Sequence, residues 1–123
     1  MTILIHTARV TYTGPDRLDV TRKSGDPTFA PSWRILGPML TLRRQADIGY
    51  MPSRFAHAWP QYVFDYTAEM RTSYCEHRAA WDALLARDEV TLLCYCTDPM
   101  HCHRTVLAEI LGKLGATVRG ERP

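Results

Sequence analysis

Four stretches of the chain have the hydrophobic pattern of β-strands. Residues 3–10 are apolar and rich in β-branched side chains, which favours a first strand. Residues 17–22 alternate between apolar and polar and predict a short second strand. Residues 90–96, VTLLCYC, are apolar without alternation, as is typical of a central strand of a parallel sheet. Residues 116–120, ATVRG, predict a last strand at the edge of the sheet.

Two other stretches have the spacing of hydrophobic residues that is typical of amphipathic helices. Aromatic and methionine side chains recur every four residues within residues 62–74, which predicts a helix over residues 61–86 with a break near residues 73–76. Residues 105–114 form a second amphipathic stretch. We therefore expect one α/β domain over residues 1–123, in which a mostly parallel sheet has helices on both faces, in a three-layer, Rossmann-like arrangement.

Residues 23–60 are rich in proline and interrupt the alternation of strands and helices. We expect a long excursion with short helices here. Ser32 is placed to cap a helix that begins near Trp33, and Gly37 and Pro38 are expected to interrupt that helix. Because a long irregular excursion in a compact domain is more often functional than idle, a protein or nucleic-acid partner for this segment stays open.

Composition excludes several classes of protein. A chain of 123 residues that is 46% hydrophobic can bury a core and is not expected to be disordered. A formal net charge of +2 is too small to indicate nucleic-acid or membrane binding by itself. Neither an apolar run of about 18 residues nor a signal-peptide pattern is present, so we expect a cytoplasmic protein without membrane contact. In that compartment the four cysteines are expected to be thiols, ligands or catalysts.

The densest group of reactive and charged side chains in the chain lies in residues 94–104, CYCTDPMHCHR. Cys94 and Cys96 end the predicted central strand, where alternation points both side chains to the same face. Cys102 and the two residues after it fall where the next helix begins, and a helix N-terminus offers free N–H groups and the positive end of its dipole. Since open α/β sheets bind ligands at the carboxyl ends of their strands, we predict the functional site at this turn.

One interpretation of the turn is a thiol-dependent enzyme, either a hydrolase or a transferase. Cys102 would be a reactive thiolate, because a helix N-terminus and a neighbouring arginine both lower the pKa of a thiol. His103, or alternatively His101, would act as acid and base. Arg104 would hold an anionic substrate, such as a nucleotide or the phosphate at a nucleic-acid end.

Two other interpretations stay open. The cysteines can simply pack in the core, since free cysteine is among the most buried residue types. They can also bind zinc, although the spacing C-x-C-x5-C-H matches no standard zinc finger or knuckle. The protein would then be a zinc-stabilised module that binds a ligand or partner without turnover. The predicted zinc ligands are Cys94, Cys96, Cys102 and one histidine, either His101 or His103.

Four residues outside the turn are further candidates for ligand binding. Asp19 and Arg22 flank the end of the predicted second strand, where they can reach the pocket or instead form a surface ion pair. Tyr12 and Trp33 can supply a stacking surface for a base or another ring, or can belong to the core.

The turn also resembles a known family. VTLLCYCTDPMHCHRTVLAEIL resembles the end of domain-of-unknown-function family 488, in which an apolar strand ends in Leu-Cys, a loop contains Pro, and Cys-His-Arg opens a helix. Cys94, Cys102, His103 and Arg104 match this pattern residue by residue. Cys96 stands where many members have Glu, and this departure adds a thiol that favours the metal interpretation.

A second segment carries the same resemblance. LDVTRKSG is similar to the family's Asp-Val-Arg segment at Asp19 and Val20, although Thr21 stands where Arg is usual. The resemblance covers most of the chain and implies a three-layer α/β fold. It extends to small phage and mobile-element proteins, which implies a role with nucleotides or nucleic acid but names no reaction.

Overall fold

A computed structural model describes residues 2–123, which contain one four-stranded parallel sheet. Its strands are β1 (Leu4–Arg9), β2 (Arg17–Asp19), β3 (Glu89–Cys94) and β4 (Thr117–Glu121). They lie in the order β2-β3-β1-β4, and all three neighbouring pairs are parallel. The four predicted strands and the predicted parallel sheet are confirmed, although β2 ends at Asp19 and β3 at Cys94, earlier than predicted.

Four α-helices occupy two of the connections in the described residues. They are α1 (Trp33–Asp47), α2 (Ser53–Glu76), α3 (Arg78–Leu85) and α4 (His103–Lys113), and a short 3-10 helix (Pro99–His101) precedes α4. Half of the described residues are helical, and the architecture is consistent with the predicted three-layer α/β fold. Within residues 2–123, none of the helices combines the length and hydrophobicity that crossing a bilayer requires.

The predicted irregular excursion over residues 23–60 is wrong, because most of that segment belongs to α1 and α2. α1 runs through Gly37 and Pro38, and α2 begins before Pro60 and contains it. A proline inside a helix removes one hydrogen bond and clashes with the preceding turn. Both proline rings are exposed, and α1 buries Ile35 and Met39 in the core that it shares with α2. Packing between the two helices therefore outweighs the local cost of the prolines.

Ser32 holds α1 in place differently from the prediction. It occupies the N-cap position, but its hydroxyl makes no capping hydrogen bond and donates instead to the carboxylate of Glu69 on α2. The backbone N–H of Ser32 donates to the same carboxylate at 2.8 Å. The start of α1 is thus tied to the middle of α2. The predicted break in the later helix is present at His77, between α2 and α3.

The hydrophobic core lies between the central strands and the helices. Ile5 of β1 and Leu92 of β3 are fully buried, as is Leu107 of α4, which packs against both strands. Burying a side chain of this size contributes about 1.5–3 kcal/mol. Tyr66 and Trp81 bring α2 and α3 into the same core. This packing fixes α4, and with it the Cys/His turn, against the ends of the strands.

The strand order creates a switch point in the topology. From β1 the chain crosses over β3 to reach β2, whereas from β3 it crosses over β1 to reach β4. The two central strands therefore send their connections in opposite directions. In open α/β sheets, ligands bind in the crevice outside the carboxyl ends of two neighbouring strands whose connections run in opposite directions. Arg9 and Cys94 end these two strands and are directly paired.

Candidate functional site

The end of β3 and the start of α4 together build the Cys/His turn. Cys94 is the last residue of β3, Cys102 is the N-cap residue of α4, and His103 and Arg104 form its first turn. Between them, the carboxylate of Asp98 accepts a hydrogen bond from the N–H of Met100 and starts the 3-10 helix. This compact loop brings the two ends of the turn together.

The three cysteines of the turn converge. The Sγ atoms of Cys94, Cys96 and Cys102 all lie within 4.8 Å of one another, and all three thiols are free. The Cys94 and Cys96 sulfurs are 3.9 Å apart, and Nδ1 of His103 is 3.7 Å from Sγ of Cys94. In a tetrahedral zinc site, with Zn–S of about 2.3 Å and Zn–N of about 2.0 Å, two sulfurs lie about 3.8 Å apart and a sulfur and a nitrogen about 3.5 Å apart. The three cysteines could hold a metal ion.

The imidazole of His103 is oriented by two partners. Its Nε2 lies 2.8 Å from the carbonyl oxygen of Val20, and because a carbonyl only accepts, Nε2 must carry the proton. Nδ1 then presents its lone pair toward Cys94. The ring of Tyr66 packs edge-on against the imidazole, with 5.5 Å between centroids. Burial lowers the pKa of His103, which keeps the ring neutral at neutral pH.

His101 lies outside the thiol cluster. Its Nδ1 is 2.8 Å from the carboxylate of Asp98, and its ring packs edge-on against Phe55 and Trp59. Of the two histidines that the sequence leaves open as a zinc ligand or proton carrier, the structure therefore places His103 beside the thiols.

Arg104 is fully buried, and protein groups occupy its donors. Its Nε and Nη2 donate to the two carboxylate oxygens of Glu121 at 3.2 and 2.8 Å. Its Nη1 donates to the carbonyl of Cys96 at 2.8 Å and lies 3.3 Å from Sγ of Cys102. In this conformation Arg104 places a permanent positive charge beside the thiols. Its role as the anchor of an anionic substrate stays a prediction.

The neighbouring thiols push one another's pKa values apart. Hydrogen bonds from Cys102 and Cys96, with the charge of Arg104, lower the pKa of Cys94 to about 3. Burial and the neighbouring sulfurs raise the pKa of Cys102 well above the usual range of a thiol. The thiols therefore ionise unequally, and the charge of Arg104 favours a thiolate in the cluster. The role of Cys102 as a nucleophile stays a prediction.

A small cavity adjoins the cluster. Its volume is about 20 Å³, enough for roughly one water molecule and far too small for a nucleotide. Cys96, Cys102 and His103 contribute to its walls. Side chains of α1 and α2 complete the lining, namely Leu36, Met39, Leu40, Arg43, Phe55, Trp59 and Tyr62, together with His101.

Asp19 organises the loop after β2. Its carboxylate accepts hydrogen bonds from the backbone and hydroxyl of Thr21, at 2.9 and 2.6 Å, and from the hydroxyl of Ser24 at 2.6 Å. Burial alone would raise the pKa of Asp19, but these hydrogen bonds lower it. The loop includes Val20, whose carbonyl holds His103. Arg22, predicted beside Asp19, is half-buried and does not line the small cavity.

The two predicted stacking residues lie apart from the thiols. Trp33 stands in the first turn of α1, is 56% exposed, and does not line the small cavity. Tyr12 lies in the β1–β2 loop, with the guanidinium of Arg122 5.6 Å from its ring centroid. It lines a separate and larger cleft.

The sequence analysis missed Glu121, the partner of Arg104. Glu121 also accepts a hydrogen bond from the hydroxyl of Thr7 at 2.6 Å, and so links β4 to β1. One signal was present in the sequence: Glu121 directly follows the predicted last strand, and the carboxyl ends of parallel strands meet at one edge of a sheet.

A family model described as DUF488-N3a, the Active DUF488-N3 subclade, matches residues 5–115. The chain belongs to this family. The DUF488-N3a match runs from β1 through the whole of α4, so it includes the complete Cys/His turn, and it confirms the resemblance to family 488. No curated protein and no solved structure matches the chain.

Proposed function

We propose that the protein is a zinc-stabilised, ligand-binding module in which Cys94, Cys96, Cys102 and His103 hold one zinc ion. The observation that carries this proposal is the convergence of three sulfurs within 4.8 Å of one another, with Nδ1 of His103 3.7 Å from Sγ of Cys94. Three thiolates and one histidine fill all four positions of such a site. A closed coordination shell is typical of structural rather than catalytic zinc.

The surroundings of His103 support this assignment. A histidine that ligates a metal through one nitrogen almost always donates its other N–H to a carboxylate, a carbonyl or water. The Val20 carbonyl accepts from Nε2 in this way and leaves Nδ1 for the ion. Because the imidazole is neutral, it needs no deprotonation before it binds zinc.

The charge balance also favours a cation among the thiols. Three thiolates and Zn²⁺ together carry only one negative charge, and the guanidinium of Arg104, which is also paired with Glu121, lies 3.3 Å from Sγ of Cys102. Without a cation, only part of the cluster can ionise, as the divergent pKa values of Cys94 and Cys102 indicate. Zinc lowers the pKa of each coordinating thiol and deprotonates the cluster.

The ion would join the end of β3 to the start of α4. Cys94 ends β3, Cys96 follows it by two residues, and Cys102 and His103 begin α4, while the hydrogen bond from His103 to Val20 connects this site to the loop after β2. Zinc at this point would stabilise the edge of the sheet where the strands end.

The test is the metal content of protein purified without added zinc. We expect about one equivalent of zinc in the wild-type protein and much less in Cys96→Ser, which removes one ligand. Cys75→Ser is the matched control, because Cys75 is an exposed thiol on α2, and it should retain the zinc. Zinc-free wild-type protein that also fails to take up added zinc, or full zinc in Cys96→Ser, would overturn the proposal.

A second candidate function is thiol-dependent chemistry on a phosphate-bearing substrate. The observation that favours it is the guanidinium of Arg104, which lies 3.3 Å from Sγ of Cys102, in a cluster where hydrogen bonds from the neighbouring thiols lower the pKa of Cys94 to about 3. The word "Active" in the description of the subclade also suits an enzyme. Alkylation with iodoacetamide, followed by mass spectrometry, separates this candidate from the first. Faster modification of a cluster cysteine than of exposed Cys75 supports an enzyme, and slower modification rejects it.

A further inference from the structure

A larger cleft lies beside the Cys/His turn and shares no lining residue with the small cavity. Its volume is about 630 Å³, within the range of pockets that bind small molecules. Its walls include Arg9 and Glu121, the last residues of β1 and β4, and Thr97 from the segment after β3. We call it the basic cleft. It lies at the carboxyl ends of β1 and β4, beside the topological switch point between β1 and β3, and open α/β sheets bind their ligands at this edge.

The basic cleft is rich in groups that bind anions. Arg9 is exposed and makes no ion pair within residues 2–123. The exposed residues Thr11, Thr13 and Thr97 add three hydroxyls. The carboxylate of Glu121 is neutralised by its bidentate pair with Arg104. The net field of these side chains is therefore positive.

Arg122 supplies a second guanidinium. Its Nη2 donates to Glu89 at 2.9 Å, whereas its buried Nε has no hydrogen-bond partner in the described part of the chain. The side chain is thus only partly held and can turn toward an anion without losing a full set of bonds. An arginine can bind phosphate through two parallel N–H donors.

Tyr12 gives the basic cleft an aromatic wall. Its hydroxyl sits against Gly14, where a Cβ would lie only 2.0 Å away, so the glycine leaves the room that the ring occupies. With the guanidinium of Arg122 5.6 Å from its centroid, the ring is held between the loop and β4. Aromatic rings and guanidinium planes are the surfaces on which nucleobases stack.

We propose that the basic cleft binds a nucleoside diphosphate, with its phosphates at Arg9, Arg122 and the threonine hydroxyls and its base against Tyr12. Both parts of this ligand are matched by groups on the walls of one cleft. The inference does not depend on the zinc site, because none of the four proposed zinc ligands lines the basic cleft.

The test is calorimetric titration of the full-length protein with ADP and, separately, with pyrophosphate. We expect saturable ADP binding that weakens about ten-fold or more in Arg9→Gln, the loss expected for one charge-assisted contact. Tyr12→Ala should weaken ADP binding but leave pyrophosphate binding unchanged. Arg119→Gln is the matched control, because Arg119 is an exposed arginine of β4 that does not line the cleft, and it should bind ADP like the wild type.

Absence of ADP binding to the wild type would overturn the proposal, as would equal affinities of the wild type and Arg9→Gln. An unchanged ADP affinity in Tyr12→Ala would overturn the role of the base. Circular dichroism shows that each variant is folded. The zinc content of the same samples is measured in parallel, so failure of the basic cleft and failure of the zinc site are told apart.

Discussion

At the scale of single residues, Arg104 connects the thiols to the edge of the sheet. Its guanidinium is fully buried and always charged, so it depends on the Glu121 carboxylate for compensation. The sequence indicated Arg104 but not this pair. The register that sets Thr7 of β1 opposite Glu121 brings the carboxylate to Arg104, and residue spacing alone does not reveal such a register.

Glu121→Gln should destabilise the protein by on the order of 2–4 kcal/mol at neutral pH, because it leaves Arg104 buried without its counter-charge. Burial alone would raise the pKa of Glu121, but hydrogen bonds from Arg104 and Thr7 lower it below the usual 4.5. The contribution of this carboxylate is therefore complete above pH 4.5 and is lost as the pH falls through its folded-state pKa. Urea denaturation measures the free energy of unfolding of the wild type and of Glu121→Gln. The difference between them should be smaller at acidic pH than at neutral pH. Glu109→Gln, on the exposed face of α4, is the control, and an equal gap at both pH values would contradict this explanation.

The two histidines of the turn should behave differently. His103→Ala removes a proposed ligand and should weaken zinc binding at least about ten-fold, as measured by competition with a chromophoric chelator. His101→Ala should leave zinc affinity unchanged, since the imidazole of His101 bonds to Asp98. The reverse order of effects would show that the fourth ligand was assigned to the wrong histidine.

At the scale of elements, the hydrophobic pattern was sufficient for the strands, for α4 and for α2 from residue 61 onward, but not for α1 or the beginning of α2. Residues 90–94 are all buried because β3 is central, whereas Tyr95 and Cys96 lie beyond the strand. Gly37, Pro38 and Pro60 are helix breakers by local propensity, and only the packing of α1 against α2 reverses that preference. Such contacts between helices cannot be predicted from the local sequence of either helix.

Pro38→Ala tests whether α1 is continuous. Alanine would restore an N–H that can bond to the carbonyl of Arg34, so the free energy of unfolding should increase by on the order of 1 kcal/mol. Chemical denaturation measures this change. Pro52→Ala is the control and should give no such gain, because Pro52 is the N-cap residue of α2 and interrupts no helical hydrogen bond. A loss of stability in Pro38→Ala would contradict this expectation.

At the scale of the whole molecule, the topology places both proposed binding sites at the edge of the sheet where the strands end. The proposed zinc site lies at the end of β3 and the basic cleft at the ends of β1 and β4. The sequence predicted the α/β class and a site at the carboxyl end of the central strand. It could not give the strand order, on which the position of the switch point depends, and it therefore did not combine Arg9, Tyr12 and Arg122 into one cleft.

Removal of zinc should lower the thermal stability of the protein. A ligand that binds only the folded state stabilises it by about 4 kcal/mol when its free concentration is 1,000 times its dissociation constant. Chelation should therefore lower the thermal midpoint of the wild type, and added zinc should restore it. Cys96→Ser should melt at the same temperature with and without chelator. A wild-type midpoint that is indifferent to chelation would contradict a stabilising role for the ion.

The central claim is that three cysteines and one histidine coordinate zinc, and X-ray absorption at the zinc edge of the loaded protein tests it most directly. The account predicts three sulfur neighbours at about 2.3 Å and one nitrogen at about 2.0 Å. Cys75→Ser should give the same spectrum, and His103→Ala should lose the nitrogen neighbour. A coordination shell of oxygen and nitrogen without sulfur would contradict the claim.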